Sequence, residues 1–399
     1  MPPSIDFLHS NISSQTTVIL YGIDASSANK EQRTGVEEYA FQLIQAMKSR
    51  PLSSGERVIL FSDKPLQGIL ADLPKGWESH VLGWKLPMGW MKGRMGWELW
   101  RRPVNLYFVP GQGLPWKFPT WKKPKTKFVT TIHDIGFKRI PEKYDPVVRR
   151  RLEHVTKDAI KKSALLLTVS AFTKQEVQEV YAVPSSRLVA TPLSAKTQDF
   201  LLPTMEQVQK TLQKYRLGHQ YFFFVGRLEH KKNLLLLLQA FDTFKQRRGL
   251  GDPFELVLAG NPGYGGEEIK QYAESLPSAE SIRFLGYVPE EEVMALFSEA
   301  TAFVFPSWYE GFGIPNLEAM LCHTALITSA IPVHKEVAGE AALFLSPEKV
   351  EAWAEGLQRM VDEEGLKEQL IEKGIERVKQ FSWKATAEKT WDALSSCLF

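Results

Sequence analysis

The sequence predicts an α/β protein with two doubly wound parallel sheets, each in its own domain. Short, continuously apolar runs alternate with segments of helical period, as expected for parallel strands that helices cover on both faces. This alternation occurs twice along 399 residues, a length that suits two domains of about 200 residues each. Charge also differs between the halves: residues 1–200 carry 29 Lys and Arg against 18 Asp and Glu, and the remainder carries 20 against 28. The halves are therefore expected to contact different partners.

The predicted elements follow in order along both halves. In the first half, strands are predicted at 17–23, 57–62, 105–109, 127–134, 164–170 and 187–191, with helices at 35–49, 144–162 and 172–180. In the second half, strands are predicted at 221–226, 254–260, 281–286, 301–307, 325–330 and 341–346, with helices at 232–247, 267–275, 289–300 and 315–323. Residues 191–207 show no clear period and are predicted to join the domains. The predicted divisions are 1–196, 197–382 and a final helix, 383–399.

Composition excludes several classes of protein. The 44% hydrophobic and 24% charged residues fit a globular chain and exclude a disordered or collagen-like one. Two cysteines, Cys322 and Cys397, cannot form a disulfide framework, which favours a reducing compartment. No apolar run approaches the ~18 residues of a membrane span, and the N-terminus lacks the pattern of a signal peptide. The expected location is the cytoplasm.

The strongest candidate site is the segment 307–320, which follows a predicted strand and opens a helix. Ligands of open α/β sheets bind at such positions, beyond the carboxyl ends of strands. Gly311 and Gly313 allow the backbone to approach a ligand closely, and Glu310 and Glu318 can accept hydrogen bonds from sugar hydroxyls. The alternative is a solvated strand-to-helix turn, which the joint spacing of glycines and carboxylates disfavours.

A second candidate site is the segment 224–233, which also joins a strand to a helix. Arg227 offers a planar fork for phosphate oxygens, and Lys232 adds a point charge near the helix start. Two cations near a helix N-terminus can form an anion site. For this motif alone, a solvated basic turn is an equal alternative.

Three further features give weaker signals. Gly35 lies at the first strand–loop–helix and could admit a phosphate, or mark a plain turn. His133 ends a strand and could donate to a sugar hydroxyl, act as a base or be structural; no ligand spacing for a metal surrounds it. The glycine-rich segment 260–266 lacks the spacing of a dinucleotide loop and is predicted to be a turn that borders the pocket.

Jointly, these motifs resemble the retaining glycosyltransferases of family GT4, which have the GT-B fold. The resemblance rests on Arg227 with Lys232, on Glu310 with Glu318, and on ordered stretches that include TTIHDIGF, LTVSAFTKQEV and FVGRLEHKKN. It covers nearly the whole chain. It implies two Rossmann-like domains that face a cleft, with the acceptor on the N-terminal domain and the nucleotide-sugar donor on the C-terminal one. It also implies that the last helix crosses back to the N-terminal domain.

The resemblance implies a role for each candidate residue. Arg227 and Lys232 would hold the diphosphate, Glu318 the ribose, and Glu310 the transferred sugar. His133 would reach the sugar near its reacting carbon, so that the implied catalytic residues are His133, Arg227, Lys232 and Glu310. The other implied donor-binding residues are Gly35 beside the phosphate, Tyr287 and Val288 beside the base, and Phe312 and Gly313, whose amides would hold the transferred sugar. Gly311 in the same loop, and Asn316 and Leu317 at the start of the helix, are also implied to contact the donor.

Neither a metal nor another cofactor is expected. Cleavage of a glycosyl-phosphate bond builds negative charge on the diphosphate, and two fixed cations beside a helix N-terminus can stabilise it directly. The resemblance implies retention of anomeric configuration by front-face attack, with the leaving phosphate as base. The chain departs from the family at His323 and Ala325, where Gly and Pro are usual. We expect altered packing there and no loss of catalysis.

The segment 83–127 stands out on the acceptor side. It holds ten Lys or Arg, one acid and six of the eleven Trp residues. Such a mixture suits an anionic membrane surface, and equally a Trp-rich acceptor pocket or core wall with a basic rim. It also suits single-stranded nucleic acid, which the transferase motifs argue against. We expect peripheral contact with the inner face of the membrane and no nucleic-acid partner.

The leading hypothesis is hexosyl transfer from a nucleotide-sugar to a glycan or lipid-linked glycan acceptor, in polysaccharide, lipopolysaccharide or glycolipid synthesis. The resemblance favours mannose from GDP-mannose, with glucose next. Two alternatives stay open: a nucleotide-sugar hydrolase or epimerase on the same fold, and a degenerate transferase that serves as a sugar-binding subunit.

Overall fold

The structure, a computed structural model, describes residues 18–33, 35–84, 89–111, 113–116, 126–195 and 200–398. Its first half forms one parallel sheet, in the strand order β3-β2-β1-β4-β5-β6-β7. The strands are β1 (Ile19–Asp24), β2 (Glu56–Ser62), β3 (Trp77–Val81), β4 (Leu106–Val109), β5 (Lys127–Ile132), β6 (Leu165–Thr168) and β7 (Leu188–Ala190). The accompanying helices are α1 (Gly35–Lys48), α2 (Met95–Arg101), α3 (Gly136–Arg139), α4 (Pro146–Lys162) and α5 (Ala171–Tyr181). We call this sheet with its helices the N-terminal unit.

The second half forms a parallel sheet of its own, in the order β10-β9-β8-β11-β12-β13. Its strands are β8 (Tyr221–Val225), β9 (Glu255–Ala259), β10 (Ile282–Gly286), β11 (Ala302–Phe305), β12 (Leu326–Ser329) and β13 (Leu343–Leu345). Its helices are α6 (Met205–Tyr215), α7 (Leu234–Arg248), α8 (Gly266–Glu274), α9 (Glu290–Glu299), α10 (Ile314–Leu321), α11 (Pro332–Ala338), α12 (Val350–Asp362) and α13 (Leu366–Val378). We call it the C-terminal unit. The prediction of two doubly wound parallel sheets is confirmed.

The central strands are buried because both of their faces are covered. The side chains of β4, β6, β11 and β12 are buried throughout. In β8, four consecutive aromatic residues, Tyr221 to Phe224, are fully buried. Such runs cannot alternate between core and solvent, which is why continuous apolar stretches predicted them correctly.

The last helix, α14 (Trp383–Ser396), returns to the N-terminal unit and packs against α1. The indole N–H of Trp391 donates to the carbonyl of Met47 at 3.2 Å, and its ring meets Tyr21 edge-on. The Thr386 hydroxyl donates to the carbonyl of Pro192 at 2.6 Å. The implied crossing of the last helix is thereby confirmed.

The expectation of an irregular connection over 191–207 was wrong at its C-terminal end. Helix α6 begins inside it, after Thr204, whose side chain accepts from the Gln207 amide while the Gln207 side chain accepts from the Thr204 amide. This reciprocal capping box is readable in the sequence as Thr-x-x-Gln. The rest of this connection includes 196–199, which lie outside the described residues.

The edge of the first sheet was not predicted either. Strand β3 and helix α2 are short, and β3 carries Glu78, Ser79 and His80, so neither shows a clear apolar period. An edge strand needs few apolar residues because one side of it is open. In the described part of the chain, no helix is both long and apolar enough to cross a membrane.

The departure from the family at His323 has a local cost. His323 follows α10 with φ = 57°, a left-handed conformation that glycine adopts without strain. We expect His323→Gly to stabilise the protein by about 1 kcal/mol, because the exposed imidazole contributes no buried area. Urea unfolding measures this. The matched change Lys379→Gly, at a position with right-handed helical angles, should destabilise instead; stabilisation by both changes would contradict the explanation.

Candidate functional site

Two loops of the C-terminal unit meet where its strand order reverses. Strand β8 leads into residues 226–232 and β11 into residues 306–313, and these two strands are neighbours in the sheet. The amide of Trp308 donates to the carbonyl of Lys231 at 3.0 Å, which joins the loops directly. The crevice beyond such a switch point is where ligands of doubly wound sheets bind.

A buried cluster of charges lies at this junction. Lys232 Nζ is 2.7 Å from Glu310 Oε1, and Lys231 Nζ lies 3.9 Å from Glu310 Oε2. Lys231 Nζ is also 3.4 Å from Asp134 Oδ2, which belongs to the N-terminal unit. Two carboxylates and two ammonium groups therefore balance across the boundary between the units. Sequence reasoning missed Lys231 and Asp134, because a contact between residues 97 apart leaves no local signal.

Burial and the neighbouring charges shift the pKa values of two members of this cluster, Glu310 and Lys231. Burial disfavours the ionised form of Glu310, but the charges of Lys232 and Lys231 and the hydrogen bond from Lys232 outweigh it and lower the pKa of Glu310 to about 2. Burial opposes the charge of Lys231 as well, yet Asp134 and Glu310 raise its pKa well above the usual value. Glu310 and Lys231 therefore both stay charged at neutral pH.

This pKa shift predicts a pH dependence of stability. The pKa of Glu310 falls from about 4.5 in the unfolded chain to about 2, so its contribution is complete above pH 4.5 and is lost between pH 4.5 and 2. The shift corresponds to about 3 kcal/mol. We expect Glu310→Gln to lower the free energy of urea unfolding at pH 7, by a difference that shrinks as the pH falls towards 2. A difference that stays constant from pH 6 to 3 would contradict this.

Arg227 lies at the solvent-facing side of the same loop. Its side chain is exposed and makes no ion pair with any residue that the structure describes. The glycine-rich segment 260–266 lies against this loop, with Leu228 N donating to Asn261 O at 3.0 Å and Gly263 N to Leu228 O at 2.8 Å. The segment is a turn beside Arg227, in agreement with the sequence. The guanidinium fork is thus available to a ligand at the crevice.

The start of α10 shapes the other wall of the site. Gly313 has φ = 94° at the helix N-cap, which favours glycine. Asn316 is fully buried below it, and its side-chain N and O have no hydrogen-bond partner among the described residues. Leu317 is also fully buried, so its side chain is part of the core and only its backbone can serve a ligand. Glu318 lies one turn inside the helix and is half-buried.

A buried histidine below Gly313 was not predicted. His334 lies within α11, and its Nδ1 lies 2.7 Å from Thr328 Oγ1 and 3.2 Å from Ser329 O. Burial lowers the pKa of His334 to about 4, although the charge of Glu310 opposes this. His334 is therefore neutral at pH 7. A lone histidine in a short helix gives no signal that it lies near Glu310.

The N-terminal unit closes over these loops through His133. A Cβ atom at Gly311 would overlap the backbone carbonyl of His133, so the backbones of the two units are in direct contact there. The His133 ring packs edge-on against Tyr39 at 4.8 Å and its Nε2 donates to Pro110 O at 2.9 Å. Burial lowers the pKa of His133, which leaves Nδ1 as an acceptor at neutral pH. His133 and Glu310 thus lie on opposite walls of one boundary.

The remaining predicted residues lie around this centre. Helix α1 begins at Gly35, and no atom lies within 4 Å of the place that a side chain would take there. Tyr287 is exposed and Val288 is buried just after β10. No group of three or more His, Cys, Asp or Glu suited to a metal ion occurs among the residues described. The roles of these residues toward a donor stay predictions.

Comparisons with known proteins agree with this arrangement. Residues 208–377 match the model of the family described as glycosyl transferases group 1. The chain is 34% identical over 267 residues to O-antigen chain mannosyltransferase B of Escherichia coli, covering 66% of this chain and 69% of that protein. It is 27% identical over 295 residues to the serotype-specific mannosyltransferase WbdA of Escherichia coli, covering 73% of this chain but 35% of that protein.

Solved structures share the fold. Sucrose-phosphate synthase from Thermosynechococcus elongatus superposes with a TM-score of 0.70 at 17% identity, covering 95% of this chain and 98% of that chain. A structural similarity at this level of identity supports the fold only. Membership of the family rests on the sequence relatives. The chain therefore belongs to the glycosyl transferases group 1 family, the GT4-type hexosyltransferases, and has their GT-B fold.

Proposed function

We propose that this protein transfers mannose from GDP-mannose to a glycan or lipid-linked glycan, with retention of configuration and without a metal ion. The observation that carries the proposal is the buried pair of Lys232 and Glu310 at the switch point, with Arg227 exposed beside it. The choice of mannose is supported by two relatives named as mannosyltransferases. A place in O-antigen synthesis is proposed from the first of these names.

The chemistry follows from the charges at the junction. As the glycosyl-phosphate bond breaks, negative charge builds on the diphosphate, and Arg227 and Lys232 would stabilise it. An ammonium group has three donors, so Lys232 can keep Glu310 while it donates to a phosphate oxygen. Glu310 would in turn accept hydrogen bonds from sugar hydroxyls. His133, on the facing unit, would contact the sugar near its reacting carbon.

The front-face mechanism is proposed because neither carboxylate of the charge cluster is free to act as a nucleophile. Glu310 and Asp134 are both held by lysines, and the lowered pKa of Glu310 makes it a weak base. The leaving phosphate would then accept the proton of the acceptor hydroxyl. No covalent sugar–enzyme intermediate is proposed.

The test is nucleotide release from a donor panel in the presence of EDTA. The panel holds GDP-mannose, UDP-glucose, UDP-N-acetylglucosamine, UDP-galactose and ADP-glucose, each with and without a lipid-linked glycan extract. We expect GDP release from GDP-mannose that rises when the extract is added. Loss of activity in EDTA that Mn²⁺ restores would overturn the metal-free mechanism. An equal rate without acceptor would favour a hydrolase, and no release from any donor would favour a sugar-binding subunit.

Membrane contact is a second proposal, and it concerns the acceptor side. In α2, Trp97 and Trp100 are exposed, and their rings are tilted by 35° with centroids 4.9 Å apart. Arg101 and Arg102 follow them in the chain. Trp116 is exposed as well. An exposed aromatic pair beside arginines suits an anionic lipid surface and does not suit a core wall. Residues 85–88, 112 and 117–125 of the predicted segment lie outside the described residues.

Liposome sedimentation at low salt checks this proposal. We expect binding to vesicles of phosphatidylglycerol and phosphatidylcholine, and little binding to phosphatidylcholine alone, since each Lys or Arg near an anionic surface contributes about 1 kcal/mol. The double change Trp97→Ala and Trp100→Ala should release the protein. The control Leu250→Ala removes an exposed apolar residue from the C-terminal unit and should not. Failure of the native protein to sediment with anionic vesicles would contradict the proposal.

A further inference from the structure

The N-terminal end of α5 holds the C-terminal unit by its free amides. The amide of Ala171 donates to Glu336 Oε1 at 2.8 Å, and the amide of Phe172 donates to Glu336 Oε2 at 2.7 Å. The first amides of a helix have no partner within the helix, and they favour a negative charge. Glu336 lies on α11 of the other unit, so its carboxylate caps a helix across the boundary. The carboxylate satisfies two donors at once through charge-assisted hydrogen bonds.

The same end of α5 also holds the sugar-binding loop. The Ser170 hydroxyl donates to the carbonyl of Gly311 at 2.6 Å, and the Thr173 hydroxyl donates to the same oxygen at 2.9 Å. Both hydroxyls are fully buried. One helix end therefore binds the loop between Glu310 and Phe312 and, through Glu336, the helix that flanks the loop.

A third contact joins the units at this place; we call the three contacts, made by Glu336, Gly311 and Tyr309, the seam. The ring of Tyr309 is buried against residues of the N-terminal unit, and its hydroxyl donates to Glu176 Oε2 at 3.3 Å. Tyr309 immediately precedes Glu310. Opening of the boundary would remove the partners of the Gly311 carbonyl and of the Tyr309 ring together. The position of Glu310 toward a donor is thus linked to closure of the two units.

We propose that Glu336 is a positioning residue: its carboxylate on the α5 amides keeps the units closed, so that the loop 309–313 stays in place for the donor sugar. The inference rests on the proposed function, since it assigns that loop to the sugar. Glu336 touches neither His133 nor Glu310 in the contacts that the structure gives, and it acts through Gly311. Nothing in the chemistry of the donor requires a carboxylate at this place.

The test compares Glu336→Gln and Glu336→Ala with the matched control Glu340→Gln. Glu340 follows the same helix, is exposed and makes only a 3.4 Å surface pair with Lys373. Three quantities are measured: kcat with GDP-mannose, the Kd of GDP, and the radius of gyration by small-angle scattering. GDP is the probe because its diphosphate is proposed to contact Arg227 and Lys232, and neither of these residues contacts Glu336 or α5 in the hydrogen bonds and ion pairs described.

We expect kcat to fall about tenfold in Glu336→Ala and less in Glu336→Gln, which keeps one acceptor oxygen. The Kd of GDP should stay within about twofold, the radius of gyration should increase, and Glu340→Gln should behave as the native protein. Ser170→Ala added to Glu336→Ala should cost less than the two separate effects combined, because both contacts act on one closed state.

Two results would overturn the inference. One is an unchanged kcat and radius of gyration in both Glu336 variants. The other is a loss of GDP affinity in proportion to the loss of kcat, which indicates damage to the C-terminal unit rather than loss of closure. If the native protein turns over no donor, the proposed function fails, and the radius of gyration of the Glu336 variants still decides whether the carboxylate holds the units closed.

Discussion

Replacing Lys232 with alanine is expected to lower kcat/KM with the proposed donor by about a hundredfold to a thousandfold, the range found when one charge-stabilising donor is removed from an active site. Lys232 Nζ is 2.7 Å from Glu310 at the switch point, where the diphosphate is proposed to lie. The change removes the cation that meets the developing charge and weakens the hold on Glu310. Steady-state release of GDP from GDP-mannose measures the effect.

The control for this prediction is Lys335→Ala. Lys335 is also a lysine of the C-terminal unit, but it is exposed on α11 and outside the charge cluster. Its replacement should leave kcat/KM within about twofold. Activity of Lys232→Ala within threefold of the native value would show that the diphosphate binds elsewhere.

Replacing Gly311 with alanine is expected to abolish closure of the two units. The backbone of Gly311 has no left-handed angle, so the obstacle is contact alone: the new Cβ would overlap the carbonyl oxygen of His133. Either the backbone of residue 311 or the carbonyl of His133 must move by about an ångström, and a misplacement of that size costs about a hundredfold in rate. The hydrogen bonds from Ser170 and Thr173 to Gly311 would be strained as well.

The measurement is kcat with GDP-mannose together with the Kd of GDP. We expect kcat to fall by about a hundredfold while GDP binding persists, because the crowded contact lies between the units and the nucleotide is proposed to bind within one of them. Gly218→Ala is the matched control, since nothing lies within 4 Å of its added methyl group. Full activity of Gly311→Ala would show that the reaction does not need the contact between Gly311 and His133.

Most of the fold could be predicted from the sequence because its signals are local. Buried parallel strands give continuous apolar runs, and helices such as α4 and α5 give a clear period within one or two residues of the observed ends. The loops after β8 and β11 were also identified locally, by glycines and charges directly after strands. Strand β3, helix α2 and the start of α6 were missed because they have weak periods or rely on a cap. Helices α3, α11, α12 and α13 were missed as well. Of these, α12 was readable, because its buried residues Trp353, Leu357 and Met360 recur at helical spacing.

The parts of the site that could not be predicted from the sequence depend on contacts between residues far apart in the chain. Lys231 meets Asp134 across 97 residues, and Glu336 meets Ala171 across 165. No spacing rule relates such residues, since the chain must first fold into both sheets. His334 was missed for a related reason: only the packing of α11 below Gly313 brings it near Glu310. The sequence therefore indicated the loops that are proposed to bind a donor, and the structure added the contacts that hold them.

The nucleotide diphosphate of the donor is proposed to bind at Arg227 and Lys232 without a metal ion. Calorimetric titration of GDP in EDTA, into the native protein and into Arg227→Ala, tests it most directly. We expect one binding site in the native protein and at least a tenfold weaker Kd in the variant, as for the loss of a charged hydrogen-bond pair. Equal affinity of the two proteins, or binding that appears only when Mg²⁺ is added, would contradict it.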